Sequence, residues 1–204
     1  VTSALLAMLF GAAIGNVIRG LPLTADGWFA LTLFTNFRPR PPVGILDWYT
    51  VLTGVFALVA LAGHGAAFLV WRTDGPVHQR AVRLAGPVFV VLAVLWPLVT
   101  FATHAVNPEL LPALPGRPLG WLGLVAAIAG LVAVFVGLAR GQALVAFLGS
   151  SAWLAGMLVA TASCLFPVLL RALPDPARWA GGPWGSPSPR RISWCSSAST
   201  GGRP

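Results

Sequence analysis

Long apolar stretches alternate with short polar, proline-bearing ones along the chain as far as about Arg178. A helix rising 1.5 Å per residue needs roughly 20 residues to cross a hydrocarbon layer about 30 Å thick. Five runs meet or approach that length: Ser3 to Arg19, Ile45 to Trp71, Leu84 to Val106, Leu119 to Ala139 and Ala143 to Leu170. Lipid offers no partner to a bare backbone amide, so each run is predicted to be helical. The expected fold class is all-α, a polytopic transmembrane bundle over residues 1–177.

The connections hold the turn formers: Pro39, Pro41 and Pro42 before the second run, Asp74-Gly75-Pro76 before the third, Asn107 to Pro118 before the fourth. A link centred on Arg140-Gly141 makes the fourth and fifth helices antiparallel neighbours. The aromatic stretch from Trp28 to Phe34 is too short to span and is expected to lie flat at headgroup level. Trp48, Tyr49 and Trp71 bracket the second run as two aromatic belts. From Arg178 onward, glycine, proline and serine dominate without periodicity, and residues 178–204 are expected to be disordered.

Composition narrows the class further. Hydrophobic residues make up 57% of the chain and charged ones 9%, too few to cover a water-soluble fold of this length. The net charge of +8 comes from arginine alone. These arginines sit singly or in small groups between apolar runs, with no basic stripe interleaved with aromatics, which excludes nucleic acid as a partner. Arg72, Arg80, Arg83 and Arg140 place the second-to-third and fourth-to-fifth connections in the cytoplasm, in a multi-pass protein of the bacterial inner membrane. Two cysteines, Cys164 and Cys195, form neither a disulfide framework nor a metal spacing, and no cleavable signal peptide is visible.

Candidate chemistry is sparse. His64 and His104 lie in the second and third runs, offset along the bundle axis by roughly 20 Å at 1.5 Å per residue, so they cannot share one haem. Each is expected to be a hydrogen-bonded packing residue; a lone-histidine haem site on His64 is the alternative. Every carboxylate falls in a connection or at a helix end, and Asp47 is expected to cap the second helix. Gly11 and Gly15, like Gly156 and Ala160, give small-residue steps through which helices approach closely, including toward a partner. Asn16 is expected to make an interhelical hydrogen bond and Arg19 to snorkel to the interface, with a quinone or headgroup site as the alternative. No catalytic, cofactor-binding or metal-binding residue is expected. On the residues alone, a small carrier or a scaffold without redox partner stays open; a carrier calls for broken helices, and Trp96-Pro97 marks one candidate break.

Gly15-Asn16-Val17-Ile18-Arg19-Gly20-Leu21-Pro22 resembles the Gly-Asn-x-x-x-Gly-x-Pro helix exit in subunit II of cytochrome bd-type quinol oxidases. Farther on, His64-Gly65-Ala66-Ala67 and Arg72-Thr73-Asp74-Gly75-Pro76 are similar to the helix end and Lys/Arg-Thr-Glu-Gly turn of that family. Cys164-Leu165-Phe166-Pro167 is similar to its Phe-Pro near the end of the penultimate helix. The resemblance implies a partner, subunit I, that binds haem b and haem d, oxidises quinol from the membrane pool and reduces dioxygen to water. It implies that this chain ligates no haem and stabilises that partner, with Gly11, Gly15, Asn16, Arg19, Asp47, Trp48, His64, Thr73, Asp74 and Gly75 as structural or interface residues. The family has further helices before the first run and one after the fifth, so the chain reads as a partial subunit, its text after residue 177 as a frame change.

Overall fold

The computed structural model describes residues 2–22, 33–34, 36–39, 44–166 and 172–173. Five helices long and apolar enough to cross a membrane make up the bundle: α1 Thr2–Arg19, α2 Trp48–Arg72, α3 Gly75–Val106, α4 Pro118–Ala139 and α5 Ala143–Leu165. A 3-10 segment, Leu111–Gly116, precedes α4, and a two-residue parallel pairing joins Leu21–Pro22 to Ala172–Leu173. The all-α polytopic bundle expected from the sequence is the observed architecture.

Three boundaries differ from the hydropathy reading, each for a local reason. Asp47 takes an extended conformation and its carboxylate accepts from the Tyr49 and Thr50 amides, so α2 starts at Trp48 rather than Ile45. Thr50 Oγ1 in turn accepts from the Asp47 amide at 2.9 Å, closing a capping box. In α3 the polar stretch before Leu84 is already helical, because Pro76 in the first turn has no amide that a helix start needs. The helix α5 ends at Leu165 instead of Leu170, with Phe166 extended, the conformation favoured ahead of a proline. Within α3 the helix continues unbroken through Pro87 and Pro97, so the break sought at Trp96-Pro97 is absent. The expected flat segment at Trp28 to Phe34 and the tail 178–204 lie outside the described residues, except that Leu33 and Phe34 are described and exposed.

Glycine contacts set the helix pairs. On α4, Gly123, Gly130 and Gly137 recur every seventh position, the period of a left-handed packed pair. A Cβ on Gly130 would lie 2.5 Å from the Trp153 amide nitrogen, and one on Gly137 equally close to that of Ala146. Gly149 and Gly156 answer from α5, so the two backbones touch along their length. The turn between them is a Schellman arrangement: Gly141 has φ +67, Gln142 N donates to Gly137 O at 2.8 Å, and Gly141 N donates to Leu138 O. On the other side Gly11 and Gly15 of α1 meet Thr53, Gly54 and Ala57 of α2. These small-residue steps pack the chain's own helices together, the close approach expected of them.

The core lies where α2, α3, α4 and α5 converge. Trp153 is fully buried there, with Phe56, Trp96 and Phe89 edge-on at 6.0, 6.2 and 6.5 Å. Outward positions carry large apolar side chains such as Leu9, Phe10, Val94, Phe101 and Leu122. In lipid that exposure is the ordinary condition, since tails are as apolar as the side chains facing them.

Candidate functional site

A polar cluster is buried at the end of the bundle where α1 finishes, α2 begins and α3 finishes. Arg19 is 3% exposed. Its guanidinium pairs with the Asp47 carboxylate, donates to Asn16 Oδ1 at 2.5 Å and to Gly44 O at 3.0 Å. Asn16 Nδ2 donates to Ala12 O on its own helix and to Ile45 O across the cluster, both at 2.9 Å. Asn16 thus bonds the connection ahead of α2 rather than a second helix, where an interhelical bond was expected. Arg19 does not snorkel; with Asp47 only a turn away in space, its charge is neutralised in place.

Two further bonds extend the cluster to α3. The Tyr49 hydroxyl meets Thr103 Oγ1 at 2.9 Å, and Asn107 Nδ2 donates to Ile18 O at 2.9 Å. Tyr49 is fully buried, so it is no part of an aromatic belt, whereas Trp48 and Trp71 are more than a third exposed as that belt requires. Nothing in the local sequence pattern announced the Arg19 and Asp47 pairing. The available signal was topological: α1 ends beside the start of α2, so the acid that caps α2 comes within reach of the last turn of α1.

The histidines sit apart from this cluster. His64 Nδ1 lies 2.8 Å from Ser150 Oγ, and its ring stacks on Phe147 at 5.1 Å, joining α2 to α5. His78 Nδ1 reaches Val70 O at 3.1 Å, and His104 is exposed. Among the described residues no group of three histidines, cysteines or carboxylates comes together as a metal site. An apolar cleft of 340 Å³ between the helices is walled by residues such as Phe10, Thr53, Trp96, Thr103 and Met157, with no histidine facing it.

Thr73, Asp74 and Gly75 build the corner between α2 and α3. Thr73 Oγ1 donates to Leu69 O at 2.6 Å, its amide donates to the same carbonyl, and Gly75 holds φ +67. Asp74 stands at the N-cap position of α3 but makes no side-chain cap bond. Gly65, within the His64 motif, has open space around it.

A family model described as cytochrome bd terminal oxidase subunit II matches residues 1–175. The chain is also 30% identical over 99 residues to cytochrome bd-I ubiquinol oxidase subunit 2 of Escherichia coli strain K12. The same figures hold for that protein in E. coli O6:H1 and O157:H7. The match covers 48% of this chain and 24% of the relative.

Proposed function

Because this chain belongs to the cytochrome bd terminal oxidase subunit II family, we propose that it supports a haem-bearing subunit I in a bacterial quinol:oxygen oxidoreductase while ligating no haem itself. Haem b and haem d are held by subunit I, which takes electrons from quinol in the membrane and reduces dioxygen to water. This chain has no catalytic residue of its own and acts by holding its partner in the lipid of the bacterial inner membrane, with the α2–α3 corner on the cytoplasmic side. The observation that carries this reading is the match to the family from residue 1 to 175. Since the glycine steps are used between α1 and α2 and between α4 and α5, the contact with subunit I is made by the large outward side chains.

Co-expression with the neighbouring subunit, followed by purification through this chain, tests the proposal. A reduced-minus-oxidised spectrum should show b- and d-type haem bands in the complex and none in the chain alone. Loss of both bands from the co-purified material, or haem carried by the chain alone, overturns it.

A further inference from the structure

Four arginines gather at the end of the bundle opposite the Arg19 cluster. Val70, Ala81, Ala85, Leu138 and Ala143 pack together, which brings the end of α2, the start of α3 and the α4–α5 turn to one level. Arg72, Arg80, Arg83 and Arg140 are exposed around that level. Among the described residues Asp74 is the one carboxylate there, and it pairs with none of them.

Below Arg72 a wall of rings faces outward between α2 and α5. The guanidinium lies 5.2 Å over the Trp71 ring; Trp71 stacks on Phe147 at 5.2 Å and 16°, and Phe147 stacks on His64. Phe68 meets both Trp71 and Phe147 edge-on. Phe68 and Trp71 remain 43% and 39% exposed. The hydrogen bond from His64 to Ser150 fixes the deep end of the stack.

We propose that this wall is the docking site of one anionic glycerophospholipid, its phosphate on Arg72 and one acyl chain along Phe68, Trp71 and Phe147. The shape argues for a lipid: a planar cation at the water boundary stands directly above an apolar strip running into the bilayer. Charge argues for an anionic one, because a choline or ethanolamine head would bring a further cation toward Arg80, Arg83 and Arg140, whereas a glycerol head would not. The arginine-rich side is also the side on which anionic lipids concentrate.

Native mass spectrometry of the full chain in detergent, titrated with phosphatidylglycerol or phosphatidylcholine, tests this. Phosphatidylglycerol should be retained in preference to phosphatidylcholine, and Arg72→Gln should weaken its retention about fivefold, the effect of one surface cation. Arg72→Lys should keep most of it, and Arg117→Gln at the opposite end should change nothing. Replacing Trp71 and Phe147 together by leucine should weaken both lipids. Thermal unfolding of each variant separates lost binding from lost fold; for a variant that fails to fold, quenching of native-chain tryptophan fluorescence by acyl-brominated phosphatidylglycerol reads the same site. Equal retention of the two lipids, no effect of Arg72→Gln, or displacement of the lipid by inorganic phosphate would overturn the proposal. So would quenching that vanishes when subunit I is bound, which would make the wall a protein interface.

Discussion

Arg19, in the last turn of α1, and Asp47, the residue that caps α2, form a buried ion pair across a separation of 28 residues in the chain. The same carboxylate accepts the first α2 amides, so one side chain neutralises one helix end and starts the next. Each group depends on the other for its place in a dry environment.

Removing one partner leaves a bare charge. Arg19→Met should therefore destabilise the bundle by about 3–5 kcal/mol in detergent or bicelle unfolding, the range for a broken buried pair. Combined with Asp47→Leu, much of that loss should return, less about 1 kcal/mol for the missing cap. An Arg19→Met protein that unfolds with the native one refutes the pairing.

Two glycine-to-alanine changes should have opposite signs. Gly130→Ala drives a methyl into the α5 backbone, 2.5 Å from the Trp153 amide, and should cost about 1–3 kcal/mol as an overpacked contact. Gly65→Ala meets nothing within 4 Å and should be neutral, or stabilising by up to about 1 kcal/mol from helix propensity. Side-by-side thermal melts decide it.

Tyr49→Phe and Thr103→Val should each lose about 1 kcal/mol, and the double variant should lose little more than either alone. A strictly additive cycle would mean that the 2.9 Å contact does not couple α2 to α3.

His64→Ala should cost about 0.6–1 kcal/mol, the usual worth of a polar contact between membrane helices. Haem content of the co-purified complex should stay unchanged. A drop in haem per complex would instead make His64 a ligand.

Asp74→Cys, in a background with Cys164 and Cys195 replaced by serine, should react with an impermeant maleimide only from the cytoplasmic side, because residue 74 is exposed at the arginine-rich corner. Labelling from outside reverses the orientation.

The helices were legible because lipid imposes one rule on every residue in a span, and an apolar run of sufficient length obeys it. Their ends were legible only in part: Asp47 reads as the α2 cap and stands there, yet the polar opening of α3 is helical although it lies outside any apolar window. A hydrogen bond from His64 inside the bundle was an expectation of the sequence, but its partner Ser150, 86 residues away, was not legible. Arg19 misled for a physical reason. A lone arginine at a helix end reads as solvent-seeking unless the acid opposite it is known, and that acid belongs to another helix.

The glycine-lined pairing of α4 and α5, closed by a turn that satisfies its own carbonyls, joins elements that are neighbours in the chain as well as in space. These two neighbours need only a minimal loop to meet, whereas Asn107 must find Ile18 across a separation of 89 residues. Loop-closure entropy favours the short search. Contacts between neighbours, α4 with α5 and α2 with α3, therefore cost less chain entropy to close than the bond that ties α3 back to α1.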